Sequence, residues 1–264
     1  MTKPSWYVNG QGQTFAAIPA PGKFWVGSPP DEKGRFEEYE ARHEVRFDYA
    51  FAVATKLVTV AEFTKFRQGF EYQKQYSRGE ETPINGVSWY DAVAYCNWLC
   101  EQERIPKDQW CYEPNAKGEY AEGMKVKANY ENLAGYRLPR EAEWEYACRA
   151  GTVTAWFHGS DEAMLDSYAW YALNSKSTMH PVGSLKPNGL GLFDMHGNAW
   201  QWCQDAYQEK GNHANEEVKT NISRVLRGGT LNDPAQLARS ACRAKNAPTY
   251  RNAFCGFRVA RTYR

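Results

Sequence analysis

The chain has 264 residues with 32 Lys and Arg against 31 Asp and Glu, a formal net charge of +1. There is no basic excess to hold a phosphate backbone, so nucleic acid is not expected as a partner. Hydrophobic residues make up 42% and charged residues 24%, the composition of a folded domain, and no apolar run approaches the roughly 20 residues of a membrane span.

Aromatic residues reach 15%, with 10 Trp and 17 Tyr. Such rings suit loop-rich architectures because each buries much area while ordering few torsions. The opening residues, MTKPSWYVNGQGQTF, lack the basic-then-apolar pattern of a signal peptide. The 7 Cys are odd in number and irregular in spacing, which predicts reduced thiols and a cytoplasmic protein.

Residues 14–28 predict two short strands, the second over 23–27, and 29–44 an exposed, charged loop. Residues 45–54 alternate as one strand, with Val45, Phe47, Tyr49 and Phe51 on one face. Thr59 and Glu62 form a capping box for a first helix over 60–66. A polar surface excursion over 67–83 leads to Ser88, the N-cap of a second helix running to about Arg104, with Asp91 at its third position. Trp89, Val93, Cys96 and Cys100 lie at helical spacing along its buried face.

Residues 105–135 predict a long loop or ragged hairpin. Pro139 and Gly151 bracket a third helix over 140–149, with Trp144, Ala147 and Cys148 as its apolar stripe. Turns and short strands are expected over 152–187, and a dense turn-plus-apolar region over 188–205 precedes a polar loop over 208–223. The last stretch, 224–264, has strand-like ends: one stops at Gly228-Gly229, the other is Gly256-Phe257-Arg258-Val259-Ala260-Arg261. The residues between them show no clear period. No fixed-period repeat or linker divides the chain, so 1–264 is read as one domain.

Five motifs then occur in a telling order: 86–92 (GVSWYDA), 136–147 (YRLPREAEWEYA), 188–202 (NGLGLFDMHGNAWQW), Arg227-Gly228-Gly229 and Gly256-Phe257-Arg258. Together they resemble the formylglycine-generating-enzyme, or sulfatase-modifying factor, family over nearly the whole chain. The resemblance implies an irregular α+β fold of the C-type-lectin kind, with short twisted strands and two or three helices.

Enzymes of that family carry two copper-binding cysteines, five apart, shortly after the Gly-Gly pair. The corresponding places here are Asp233 and Ala238, which offer no thiolate pair for a soft metal. Cys242 and Cys255 lie too far along to match. A copper-dependent oxidase therefore stands as the alternative, and the His residues show no metal-ligand spacing for an iron branch.

The chain more closely resembles the variable proteins of diversity-generating retroelements, whose last segment is diversified on a C-type-lectin-like scaffold. A frame of Arg239-Ser240-Ala241, Arg243, Pro248, Arg251 and Gly256-Phe257-Arg258 is kept. Where relatives carry Asn, this chain has Cys242, Ala244, Ala247, Tyr250, Ala253 and Phe254. Each is reachable from an Asn codon by changes at its adenines alone, and adenines are what retroelement mutagenesis alters. Leu231, Thr249 and Cys255 are assigned to the same set. The resemblance implies a non-catalytic display protein that binds a protein or other macromolecule through a variable segment at about 225–261. An undiversified accessory binding domain is a further alternative. The six positions are expected on one exposed face, with the frame turned inward.

The resemblance also implies a structural calcium site at Asp194, Gly197, Ala199 and Gln201, from side-chain and main-chain oxygens. Gln201 replaces the family's Glu, and a metal-free turn fixed by Asp194 is the competing reading. No other cofactor is required. Cys96 and Cys100 read as buried thiols, and Glu141, Glu143 and Glu145 as ion-pair partners of nearby arginines. Arg227, Arg239, Arg243, Arg251 and Arg258 read as forked donors tying irregular backbone together.

Overall fold

The computed structural model describes residues 5–207 and 217–263. Strands β1 (Ser5–Val8) and β2 (Thr14–Ile18) pair as an antiparallel hairpin, as do β3 (Gly22–Val26) and β4 (His43–Phe47). β5 (Phe51–Ala54) belongs to the β2 sheet and not to the β4 hairpin. The single strand expected over 45–54 is therefore two strands with a break at 48–50. Val45, Phe47, Tyr49 and Phe51 still join one apolar cluster with Trp144, Leu192 and Val225. Their alternation reflects that shared core and is blind to the change of partner.

Helix α1 (Val60–Phe66) begins with the expected capping box: Thr59 Oγ1 accepts the Glu62 N–H at 3.1 Å, and Glu62 Oε2 accepts the Thr59 N–H at 2.8 Å. Helix α2 (Trp89–Gln102) starts the same way from Ser88 and Asp91. It ends two residues short of Arg104, which sits at φ 55 outside the helix. The ragged hairpin is β6 (Tyr112–Glu113) with β7 (Lys125–Val126), and β8 (Tyr136–Arg137) leads into α3 (Glu141–Arg149). Strands β9 (Ala169–Trp170) and β10 (His196–Gly197) pair in parallel. β11 (Trp200–Ala206), β12 (Arg224–Arg227), β13 (Arg243–Asn246), β14 (Cys255–Gly256) and β15 (Ala260–Thr262) complete the chain. The expected polar loop over 208–223 lies partly outside the described residues.

Two sheets carry the fold. One has the order β1-β2-β5-β15-β8, so the C-terminal strand is inserted between β5 and β8. The other has the order β13-β12-β11-β14. The first joins strands from both ends of the chain, and the second is built from four consecutive strands. The main core lies where α1 and α2 meet these sheets, with Phe15, Phe63, Trp89, Tyr95, Trp202 and Phe257 buried together. All seven cysteines are free and buried. Among the described residues no helix is long and apolar enough to cross a membrane.

Candidate functional site

β11 supplies the floor of the site. On one side β12 runs antiparallel to it, with Gln201 opposite Arg227 and Trp202 opposite Leu226; on the other, β14 runs parallel, with Trp200 opposite Cys255. β12 stops at Gly228, whose φ of +100 and crowding suit glycine: a Cβ there would lie 3.0 Å from Gln201 Nε2 and 3.2 Å from Trp144. Gly197 is more constrained, since its Cβ would come within 2.2 Å of the Trp170 carbonyl. The chain then forms a 3-10 turn over Ala235–Ala238, returns as β13, loops through 247–254 and re-enters as β14. Neither the turn nor β13 was marked by periodicity.

The frame arginines behave as expected. Arg227 is fully buried; Nη1 donates to the Ala241 and Cys242 carbonyls at 2.8 and 2.9 Å, and Nη2 to Ser240 O at 2.7 Å and Glu145 Oε2 at 2.5 Å. Arg239 pairs with Glu40 and Glu32 and donates to the Gln236 carbonyl. Arg243 grips both oxygens of Glu141. Arg251, partly exposed, donates to Asp91 and to Gly86 O. Ser240, Ala241, Pro248, Gly256, Phe257 and Arg258 are buried. Glu143, Glu145 and Glu141 are ion-pair partners, to Arg137, Arg149 and Arg227, and Arg243 respectively.

The six positions expected on one exposed face divide, as do the three assigned with them, Leu231, Thr249 and Cys255. Thr249 is exposed, and Ala244, Ala247, Tyr250 and Phe254 are half-buried with surface left to solvent. Cys242 and Ala253, at 1% and 5% exposure, are buried, as are Leu231 and Cys255. The reason is local. Arg227 draws the Ala241 and Cys242 carbonyls inward. Cys255 is held in β14 against β11. Leu231 joins a small cluster with Leu57, Met179, Val182 and Ala199, and its carbonyl accepts the Ser175 hydroxyl at 2.7 Å. Phe254 packs on that cluster and meets Tyr76 edge-on at 5.0 Å between ring centres. Tyr76 belongs to the 67–83 excursion, where aromatics inside a polar stretch were the available sign of a shared surface. Trp200 is also half-buried and, like Ala244 and Tyr250, packs on the main core cluster.

The turn expected to hold calcium is formed, with Asp194 and Asn198 both at positive φ, but the oxygens of Asp194, Gly197 and Gln201 already accept hydrogen bonds. Asp194 Oδ2 accepts the Gly183 N–H at 2.8 Å and Oδ1 the Asn198 amide at 3.1 Å. The Asp194 carbonyl accepts Gln201 Nε2 at 2.8 Å and Arg258 Nη2 at 3.2 Å. Gln201 Oε1 accepts Trp144 Nε1 at 2.7 Å and Arg258 Nε at 2.6 Å. The Gly197 carbonyl accepts the Ala199 N–H at 2.8 Å. The Arg258 guanidinium thus stands among the oxygens that a cation would need. The donor set does not fit calcium, and the turn fixed by Asp194 is the reading this geometry supports. Burial pushes the Asp194 carboxyl upward and lowers the Arg258 guanidinium to about 10.

At the places of the enzymatic cysteine pair, the Asp233 carboxylate accepts the Thr230 N–H and hydroxyl at 2.9 and 3.0 Å. Ala238 is buried, and its carbonyl accepts His196 Nδ1 at 2.7 Å. Burial pushes the Cys242 and Cys255 thiols up to about 12, which leaves them protonated near neutrality.

Residues 9–263 match the model of the sulfatase-modifying factor enzyme 1-like domain, and the chain belongs to that family. A formylglycine-generating enzyme of Streptomyces coelicolor is 30% identical over 199 residues, 67% of this chain and 52% of that protein. Among solved structures, variable protein 1 of Treponema denticola superposes with a TM-score of 0.75 at 26% identity, covering 98% of this chain and 99% of that one. PvdO from Pseudomonas aeruginosa superposes with a TM-score of 0.78 at 25% identity, covering 100% of both. The fold is accordingly the irregular α+β, C-type-lectin-like architecture. The chain spans 60%, 37% and 52% of the length of the first curated relatives it matches.

Proposed function

We propose that this chain is a non-catalytic ligand-binding display protein, the variable protein of a diversity-generating retroelement. In this reading 1–264 is one domain that binds a macromolecule through a C-terminal segment at about 225–261. The observation that carries it is a division of labour within one segment. Arg227, Arg239, Arg243 and Arg258 donate to backbone carbonyls from below, while Ala244, Ala247, Thr249, Tyr250 and Phe254 keep surface toward solvent. Side chains held off a rigid frame are replaceable at little cost to folding, and aromatic anchors such as Tyr250 and Phe254 dominate interface energetics. The end-to-end likeness to the Treponema denticola variable protein supports the same reading. Seven free, buried thiols are in keeping with a reducing, cytoplasmic setting.

The second reading, a copper-dependent oxidase, draws on family membership and on the 30% identity to a formylglycine-generating enzyme. Asp233 and Ala238 are hard and inert where that chemistry needs a thiolate pair. The neighbouring DNA tests the proposal. The expected finding is a near-copy of codons 225–261 with adenines at the differing sites, beside a reverse transcriptase gene. Their absence sinks diversification and leaves an accessory binding domain. Stoichiometric copper with turnover of a cysteine peptide would replace the proposal with the oxidase.

A further inference from the structure

Buried arginines in this chain come with acceptors. Arg137 pairs with Glu143, Arg227 with Glu145, and Arg239 with Glu32 and Glu40; the first two leave only Nε without a partner. Arg258 spends its donors on Gln201 and three backbone carbonyls. Arg224, at the opposite end of β12 from Gly228, departs from this rule. It is 2% exposed, yet its one hydrogen bond runs from Nη1 to the Gln204 carbonyl at 3.0 Å, and both Nε and Nη2 lack an acceptor. Among the described residues no carboxylate forms an ion pair with it.

Its surroundings add donors. The guanidinium lies 4.5 Å from the centre of the Trp89 ring, whose face attracts positive charge but accepts nothing in the guanidinium plane. Gln204 is 4% exposed; its Oε1 is occupied by the Tyr112 hydroxyl, and its Nε2 has no acceptor. Asp205 is the carboxylate that offsets Arg224 most, but its Oδ2 accepts the Glu141 N–H at 2.5 Å. Burial without a paired carboxylate lowers the guanidinium below its ordinary value. A water molecule accepts such donors but brings no charge, and a buried cation with no carboxylate in ion-pair contact is costly to a core.

We infer that Arg224, with Gln204 Nε2, forms a binding site for a small oxyanion, a carboxylate or a phosphate. Two free guanidinium donors beside a side-chain amide match the lone pairs of such a group. The site is separate from the proposed display surface and stands or falls independently of it.

Titration of the full chain with inorganic phosphate and, separately, with acetate tests the inference by calorimetry and thermal unfolding. Saturable binding that raises the unfolding midpoint is expected for at least one. Phosphate alone identifies a phosphate ligand, and acetate binding identifies a carboxylate. Arg224→Met is expected to weaken binding by at least about tenfold, the loss of one or more charge-assisted hydrogen bonds. Without anion it is expected to unfold no earlier than the parent, because it removes a buried cation and keeps its bulk. Gln204→Glu sets a carboxylate beside the guanidinium, so it is expected to raise the midpoint and abolish anion binding, even if Arg224→Met does not fold. Absence of saturable binding to the parent protein, or binding that survives both substitutions, overturns the inference.

Discussion

Arg227 shows how single residues hold an irregular segment in place. Its two Nη groups reach three successive backbone carbonyls, those of Ser240, Ala241 and Cys242, and the carboxylate of Glu145. Burial alone pushes the Glu145 carboxyl upward, but Arg227 and Arg149 overcome it and hold the group below the usual carboxylate range. A depressed folded-state value stabilises the fold above the unfolded carboxylate value of about 4.3, and that stability is lost as pH falls through the folded value. Glu145→Gln is therefore expected to cost about 3–5 kcal/mol at neutral pH, because it strands a buried guanidinium. The difference from the parent should shrink in acid, where the parent also loses the charge. Urea unfolding at neutral pH and well below the carboxylate range checks both; a difference independent of pH would remove the pair as the source of acid sensitivity. The saturated Asp194 turn carries a second expectation: added calcium or a chelator leaves the thermal midpoint unchanged, and a calcium-dependent rise would show that Arg258 yields its place.

At the scale of elements, the N-terminus of α2 joins the helical core to the C-terminal segment. Ser88 and Asp91 cap each other, and Asp91 also accepts Arg67 Nη1 at 2.6 Å and Arg251 Nη2 at 3.0 Å. The Trp89 N–H donates to Pro248 O at 3.1 Å, and the Gly86 N–H to Asn252 O at 3.0 Å. Ser88→Ala should cost about 1 kcal/mol, as for an ordinary cap. Asp91→Ala should cost more and, unlike Ser88→Ala, should speed amide exchange over 248–254, because it frees Arg251 as well. Equal exchange in the two variants would mean that the arginine does not anchor the loop. The caps at Thr59 and Ser88 were legible in the sequence because each is a three-residue relation. The break at 48–50 and the tie between α2 and Arg251 were not, because each depends on a partner far along the chain.

For the whole molecule, the C-terminal segment closes both sheets: β12 and β14 flank β11, β13 pairs with β12 at the edge, and β15 enters between β5 and β8. A diversified surface on such a segment is compatible with folding only if the changes fall where packing is indifferent. The family resemblance distinguished frame from variable positions, and Arg227, Arg239 and Arg258 do face inward, while Arg251 stays exposed and reaches Asp91 from the surface. It did not reveal which variable side chains reach solvent, since that depends on how far Arg227 pulls the 240–242 carbonyls and how β14 seats against β11. This separates the set into two groups with different expected costs. Ala247→Tyr and Thr249→Tyr should change stability by no more than about 0.5 kcal/mol, as surface substitutions do. Cys242→Tyr and Ala253→Tyr should cost about 1–3 kcal/mol or more, because each forces a ring into filled space. Denaturant unfolding of the four variants measures the difference. Equal tolerance at all four would mean that the segment shifts as a unit to admit new side chains, placing its adaptability in the backbone; the expected inequality confines it to side chains carried by a fixed frame.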